Sequence, residues 1–197
     1  MIIWGVSKKM PETLTQDQKR LLILMSKFTK PAEKQDEEET WIKKIPLHAL
    51  ITQGIDQKVF QDYDFAPQLV DYMGAVRYAS VSKEGEDDVA DLREEGYVER
   101  LKLATSHHIY VSAYRVTPEG MKIAKSIDKK HHEAIDKLVK CSECGQILSI
   151  QSRDNAPYLI CKKCNKEEKI DIFDIEEVAY ISKPVFSDIW LPLDTTD

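Results

Sequence analysis

Two Cys-x-x-Cys pairs near the C-terminus restrict the fold of this chain more than any other feature. The pairs are Cys141 with Cys144 and Cys161 with Cys164, and the 197 residues contain no other cysteine. A spacing of two residues lets both sulfurs of a pair converge on one side of a tight turn. Two such turns complete a tetrahedral site of four thiolates, which suits Zn²⁺ and leaves no open position for catalysis. The spacing therefore predicts one structural Zn²⁺ with these four cysteines as its ligands.

The residues around the pairs predict a zinc ribbon, a small β structure built around the metal. Residues 146–150 and 157–160 have the composition of two short strands, and turn-forming residues lie between them. Gly145 follows the first pair, where the backbone needs a positive φ, and Asn165 takes the equivalent place after the second pair. Both pairs thus have the local sequence that a metal-binding turn requires.

Other uses of four cysteines agree less well with the sequence. A thioredoxin-like redox pair needs one Cys-x-x-Cys beside a βαβ pattern, and this chain has two pairs on a hairpin. Two disulfides need an oxidising compartment, and the N-terminal residues lack the features of a secretion signal. A regulator that responds to metal or redox state through the same cysteines is the alternative to a structural ion. A structural ion predicts that chelation melts the ribbon and leaves the preceding domain folded.

Two histidine pairs do not predict a second metal site. His107 and His108 lie at a predicted hairpin tip, and His131 and His132 lie in a predicted helix. Neighbours on a strand point to opposite faces, and neighbours on a helix diverge by about 100°. We expect all four to be exposed polar residues.

Composition places the chain among intracellular globular proteins. Its 197 residues suit one or two domains, and 42% hydrophobic residues are enough for a core in the larger one. The longest wholly apolar run is residues 21–25, which is far too short to span a membrane. We expect a cytoplasmic or nuclear location, and an organelle stays open if a transit peptide was removed from a longer precursor. Seven scattered glycines, with no phosphate loop, HExxH or nucleophile elbow, predict that the protein is not an enzyme.

The first 80 residues predict helices and loops. One helix is capped by Thr13 or Thr15 and has apolar residues at a spacing near 3.6. Residues 31–40 are acidic and aperiodic, which indicates a loop. Residues 41–53 and 66–80 supply one or two further short helices.

A helix, a β-hairpin and a further helix follow. Ser82 caps the first helix, which ends at Gly96. Residues 97–104 and 109–116 predict the two strands of the hairpin. Thr117 caps the following helix, whose apolar stripe continues to the first cysteine as one long helix or as two collinear ones.

This order, carried by "LREEGYVERL" (92–101) and "YRVTPEGMKIA" (114–124), resembles the third helix, wing and closing helix of archaeal and bacterial winged-helix regulators. A winged helix followed by a C-terminal zinc ribbon is similar to the arrangement in the transcription factor E family (alpha subunit), whose members contact RNA polymerase. The resemblance covers roughly residues 81–164. It implies an α+β fold, in which a winged helix-turn-helix domain with extra N-terminal helices is joined by a helix to a small β zinc ribbon.

The same features divide the chain into four parts. They are a helical and winged-helix domain at 1–130 with its core at 81–130, a helical connector at 131–140, the zinc ribbon at 141–180, and an apolar and acidic tail at 181–197. In the tail, Phe186, Ile189 and Trp190 need burial, either against the winged helix or in a partner.

The net charge of the helix before the hairpin helps to choose between the functions that a winged helix suggests. Between Val81 and Gly96 two basic residues stand against seven acids, a net charge of −5, and phosphates would repel such a helix from the major groove. The leading hypothesis is an adaptor or accessory factor in a larger assembly such as the transcription machinery, with the acidic helix and the ribbon facing a basic protein surface. The alternative is a nucleic-acid-binding regulator. Its candidate residues lie in the wing and the ribbon: Arg100, Lys102, Arg115, Lys162, Lys163 and Lys166. Neither hypothesis predicts an oligomeric state.

Overall fold

The computed structural model describes residues 14–32, 37–72, 75–104, 111–153 and 156–173, and these ranges are called the described chain. As the sequence predicts, the fold is mixed α+β, and the described chain contains five helices and three small antiparallel sheets. The helices are α1 (Gln16–Phe28), α2 (Lys44–Asp56), α3 (Lys83–Glu94), α4 (Pro118–Ser126) and α5 (Lys129–Val139). The strands are β1 (Ile42–Lys43), β2 (Ala66–Tyr72), β3 (Ala75–Val81), β4 (Val98–Leu103), β5 (Val111–Val116), β6 (Ser149–Arg153), β7 (Ala156–Cys161) and β8 (Lys166–Lys169). None of these helices is long and apolar enough to cross a membrane.

Side-chain caps fix the start of the helices. The Thr15 hydroxyl accepts a hydrogen bond from the Gln18 N–H at 3.1 Å, and the Gln18 side chain accepts one from the Thr15 N–H. Ser82 and Thr117 cap α3 and α4, each by accepting from a backbone N–H three residues further on. These contacts confirm the predicted caps and place the first of them at Thr15.

Residues 118–140, which the sequence predicts to be one long helix or two collinear ones, contain two helices, α4 and α5. Ile127 leaves the helical conformation with a ψ of 147° and separates α4 from α5. Asp128 then caps α5, because its side chain accepts hydrogen bonds from the first backbone N–H groups of that helix. The aspartate at this position therefore starts a new helix where the apolar stripe alone allows a continuous one.

His131 is buried, so the prediction that it is an exposed polar residue is wrong. Its Nδ1 lies 2.7 Å from the Asp128 carboxylate and its Nε2 lies 2.6 Å from the side-chain oxygen of Gln16. The second contact joins α5 to the first turn of α1, which are distant in sequence. His132 is half-buried and contacts the carbonyl of Ala124, and both histidines of the first pair lie outside the described residues.

The first sheet has the strand order β1-β5-β4. β4 and β5 form the predicted hairpin and pair along their full lengths, and Gly96 ends α3 before them with a φ of 79°. On its other side β5 pairs with β1, where Ile42 lies opposite Tyr114. β1 has only two residues and no sequence signal of its own, so the third strand is visible only in the fold.

The second sheet is a hairpin of β2 and β3, so the short helix predicted at residues 66–80 is wrong. Apolar residues occupy neighbouring positions in this segment, so their spacing agrees equally well with the 3.6-residue period of a helix and with the two-residue period of a strand. In the structure, side-chain burial in this segment alternates with a period of two residues. Tyr72 and Ala79 are buried, whereas Leu69 and Val76 are 59% and 67% exposed on the opposite face. Pairing between the two strands selects the extended conformation.

The third sheet, in the order β6-β7-β8, carries the cysteine pairs. β6 and β7 overlap the two predicted ribbon strands. The alternation "KIDIFDI" (169–175) by itself predicts a further strand of the ribbon sheet, whereas β8 lies earlier and ends at Lys169, and residues 174–175 lie outside the described chain. Ile170 and Ile172 after it are buried, and the Ile172 carbonyl accepts a hydrogen bond from the Ser80 N–H of β3 at 2.9 Å. Within residues 170–173 the alternation thus reflects alternate burial against β3 and the core, without a strand.

One continuous hydrophobic core joins the helices to the third sheet. Leu22 of α1, Leu50 of α2 and Ile135 of α5 are fully buried in it, as are Leu159 of β7 and Ile172. The predicted domain boundaries near residues 130 and 140 have parts of this core on both sides. The boundaries themselves stay a prediction, and the packing shows that the ribbon lies against the rest of the molecule.

Candidate metal centre

The four cysteine sulfurs form one cluster. All four Sγ atoms lie within 4.8 Å of one another, and those of Cys144 and Cys161 are separated by 3.5 Å. A tetrahedral ion with Zn–S bonds of ~2.3 Å requires sulfurs about 3.8 Å apart, which these separations bracket. All four are free thiols, with Cys141 and Cys161 buried and the other two partly exposed. The cluster could hold one metal ion.

The backbone on either side of the cluster folds into two tight turns, as the sequence predicts. In the first turn the Gly145 N–H donates to the Cys141 carbonyl at 2.8 Å, and Gly145 has a φ of 69°. In the second turn Asn165 has a φ of 53°, and Cys161 pairs with Lys166 where β7 turns into β8. Each turn needs the left-handed conformation that glycine and asparagine tolerate.

Electrostatics favour a cation between the sulfurs. Backbone N–H groups of Cys144 and Glu143 point at the Cys141 sulfur and lower the pKa of this thiol to about 7. The neighbouring sulfurs, first of all that of Cys144, raise the pKa of Cys164, because a second thiolate beside the first is unfavourable. A metal ion removes this repulsion and allows all four thiols to ionise together.

Arg115, one of the predicted nucleic-acid contacts, is engaged inside the protein. Its guanidinium forms ion pairs with Glu99 at 2.6 Å and with Glu39, and it lies over the Trp41 ring at 4.4 Å from the centroid. The Arg115 side chain is only 14% exposed. These contacts tie the loop before β1 to the β4–β5 hairpin, and they leave little of the guanidinium for a phosphate.

The other two candidates from the β4–β5 hairpin, Arg100 and Lys102, lie on the same face of β4. Arg100 is exposed and donates two hydrogen bonds to the Ser112 hydroxyl, at 3.1 Å and 2.8 Å. On the ribbon, Lys162 and Lys163 are exposed in the second turn. Lys166 forms an ion pair with Glu143 at 2.6 Å. The basic residues of the β4–β5 hairpin and those of the ribbon belong to different sheets, so their use by one nucleic acid stays a prediction.

The predicted partner contacts Phe186, Ile189 and Trp190 lie outside the described residues.

A second polar cluster, which the sequence analysis missed, lies between α2 and α3. Glu86 contacts two basic side chains, Lys44 at 2.6 Å and the buried His48 at 3.1 Å. The hydrogen bond from His48 and the Lys44 ammonium lower the pKa of Glu86 to about 2. Burial lowers the pKa of His48, whose Nε2 lies 3.1 Å from the carboxylate oxygen. Lys44 and His48 are one helical turn apart, but nothing in the sequence links them to an acid 38 residues later.

Comparison with known proteins gives one match. No curated protein and no solved structure matches the chain. The sequence model of the family described as "Uncharacterized protein MJ1567 family" matches residues 17–171. This range runs from the first turn of α1 through β8 and contains all four cysteines. The chain therefore belongs to the Uncharacterized protein MJ1567 family.

Proposed function

We propose that this protein is a zinc-binding macromolecular interaction protein that acts as an adaptor or accessory factor in a larger assembly, such as the transcription machinery. The observation that carries the proposal is the order α1-β1-α2-α3-β4-β5 with the sheet order β1-β5-β4, followed by a four-cysteine ribbon. No catalytic role is part of the proposal.

The first part of that order supports a winged helix. A winged helix has three helices and a three-stranded antiparallel sheet, in which the first strand follows the first helix and the last two strands form the wing. α1, α2 and α3 take the helix positions, β1 takes the first strand position, and β4 with β5 takes the wing position. The hairpin of β2 and β3 is an insertion between the second and third helices.

The acidic helix α3 supports a protein partner over a DNA major groove. Two of its carboxylates hold other parts of the protein: Asp88 accepts hydrogen bonds from Tyr63 at 2.6 Å and from Gln18 at 3.0 Å, and Glu86 pairs with Lys44 of α2. Asp87, which pairs with Lys83 within α3, and Glu94 are exposed. The exposed carboxylates suit a basic protein surface, and α3 offers no excess of basic groups to phosphates.

Zinc is the metal we propose for the cysteine cluster. Four thiolates suit Zn²⁺ or an iron centre, and the closed shell assigns the ion a structural role. Metal analysis of the purified protein should find about one zinc per chain. Iron in its place, visible by its colour, would refute the zinc assignment.

The test of function is recovery of the partner from native lysate, with and without nuclease. Three tagged forms are compared: the natural chain, a Cys161→Ser/Cys164→Ser form, and a Lys162→Gln/Lys163→Gln form that keeps the metal ligands. We expect RNA polymerase subunits or another stable complex to survive nuclease, to be retained by the lysine variant and to be lost by the cysteine variant.

The lysine variant separates the two functions because its substitutions lie in the same turn as the cysteines. Recovery of nucleic acid alone, lost with nuclease, at high salt and in the lysine variant, would replace the adaptor proposal with the nucleic-acid alternative. Circular dichroism of each form shows whether a loss of binding accompanies a loss of folding.

A further inference from the structure

A cleft of about 230 Å³ opens between α2, α3 and the β4–β5 hairpin. Its apolar wall includes Leu47 and Ile51 from α2 and Val89 from α3, all buried in the core. The volume is below the ~300 Å³ of the smallest drug-sized pockets. It exceeds the ~150 Å³ that accommodates a benzene molecule in a protein core. One ring with a small polar group would fit.

The rim of the cleft is basic in a protein whose net charge is −6. Four basic residues and two acids line it. The acids are neutralised by two of the basic residues, since Lys44 pairs with Glu86 and Lys83 pairs with Asp87. The remaining two, Arg93 and Arg100, have no carboxylate partner in the part of the chain that the structure describes. Both residues are exposed and line the cleft, and Arg100 also donates to the Ser112 hydroxyl.

One wall of the cleft carries a buried polar atom without a partner. His48 is only 4% exposed; its Nε2 contacts Glu86, while its Nδ1 makes no hydrogen bond to any described residue. With Nε2 beside the carboxylate, Nδ1 is the ring nitrogen that has no partner in the described chain. A buried polar atom without a partner is unfavourable, so this wall gains a hydrogen bond if a ligand group or a water comes within reach of the ring.

From these three observations we propose that the cleft binds a small organic anion, a carboxylate or a phosphate monoester on a body about the size of one ring. The anionic group contacts Arg93 and Arg100, which suit planar or tetrahedral oxyanions. The apolar body lies against Leu47, Ile51 and Val89. This ligand site goes beyond the proposed adaptor function, because it would make the winged-helix part of the protein responsive to a small molecule.

The test uses the metal-loaded full chain and three probes: phenyl phosphate, benzoate and neutral phenol. Each is titrated by calorimetry and by the amide NMR signals of α2, α3 and β5. We expect phenyl phosphate or benzoate to bind saturably at millimolar concentration and to shift these signals, and phenol not to saturate. Arg93→Gln/Arg100→Gln should weaken binding by about tenfold or more, because it removes both charge-assisted contacts.

Two further variants exclude simpler explanations. Ala90→Leu keeps every charge and fills the cleft from a half-exposed position on α3, so it should abolish binding while the thermal midpoint stays close to that of the natural chain. Arg153→Gln removes an exposed arginine on the ribbon and should leave binding unchanged. The proposal is overturned if neither anion saturates. It is equally overturned if the Arg93→Gln/Arg100→Gln and Ala90→Leu forms bind like the natural chain, or if the signals that shift belong to the ribbon lysines.

Discussion

Removal of the metal should destabilise the helices as well as the ribbon. The sequence alone suggests a separate ribbon that melts while the preceding domain stays folded. In the structure, Leu159, Ile170 and Ile172 of the ribbon and the segment after it belong to the same buried core as α1, α2 and α5. The Gln53 side chain of α2 also donates to Glu168 of β8 at 3.1 Å. Without the metal the ribbon loses its turns, and these contacts are lost with them.

The magnitude follows from the buried side chains. Leu159, Ile170 and Ile172 are 1%, 5% and 0% exposed. Burial of each contributes about 1.5–3 kcal/mol, so the three together contribute at most about 5–9 kcal/mol, with less where the unfolded chain already covers apolar surface. Domains of this size are stable by about 5–15 kcal/mol. If removal of the metal eliminates about 3 kcal/mol of this burial contribution, the thermal midpoint should fall by about 6–12 °C.

Hydrogen exchange of α1 distinguishes the two expectations. A high-affinity zinc chelator should accelerate exchange of the amides from Leu21 to Met25, all of which carry fully buried side chains. Chelator added to the Cys161→Ser/Cys164→Ser form should have no further effect, because that form has lost the site. Unchanged exchange in α1 together with loss of protection in β7 would refute the shared core and restore the picture of an independent ribbon.

Three further changes test individual contacts. Gly120→Ala should lower the free energy of unfolding in urea by about 1–3 kcal/mol, because the added Cβ would lie 2.2 Å from the Tyr97 carbonyl oxygen; an unchanged urea midpoint would contradict this close approach. Tyr72→Phe should cost about 0.5–1.5 kcal/mol through loss of a 2.5 Å hydrogen bond to β6, whereas Tyr158→Phe, with no hydroxyl partner in the described chain, should be neutral; equal costs would refute the assignment. The pKa of Glu86 falls from 4.5 to about 2 on folding. Its carboxylate therefore stabilises the fold above the unfolded value, and this contribution is lost as the pH falls through the folded one. As the pH is lowered through this acidic range, the thermal midpoint of Glu86→Gln should accordingly fall less steeply than that of the natural chain. Parallel plots of thermal midpoint against pH for the two forms would refute the argument.

Local signals predicted the cysteine cluster and the segment around α3. Ligand spacing is a property of about five consecutive residues, so each cysteine turn could be recognised with the residue that ends it, Gly145 or Asn165. The same holds for the caps of α3 and α4, where Ser82 and Thr117 bond backbone groups three residues away. Such contacts close within one turn of chain, and tertiary packing does not change them.

The parts that sequence reasoning missed depend on contacts between distant residues. The segment of β2 and β3 fits both periods, and only its pairing and its packing on the core decide between them. His131 is buried because Gln16 meets it across more than a hundred residues. His48 and Glu86 meet only when α2 packs beside α3. No pattern within a sequence window contains these partners.

The hairpin of β2 and β3 explains why a ribbon near the C-terminal end of the described chain lies on the first helices. The Tyr72 hydroxyl contacts Ser152 of the ribbon, and the Tyr72 ring lies 5.0 Å from that of Phe173. Ser80 bonds the backbone of Ile172, and Arg77 lies over the Phe173 ring. Separation of the ribbon would expose these rings and break these bonds, so the ribbon has a fixed position on the body. A partner that contacted both parts would therefore meet one preformed surface, and a metal in the cysteine cluster would maintain that surface by holding the ribbon in its folded shape.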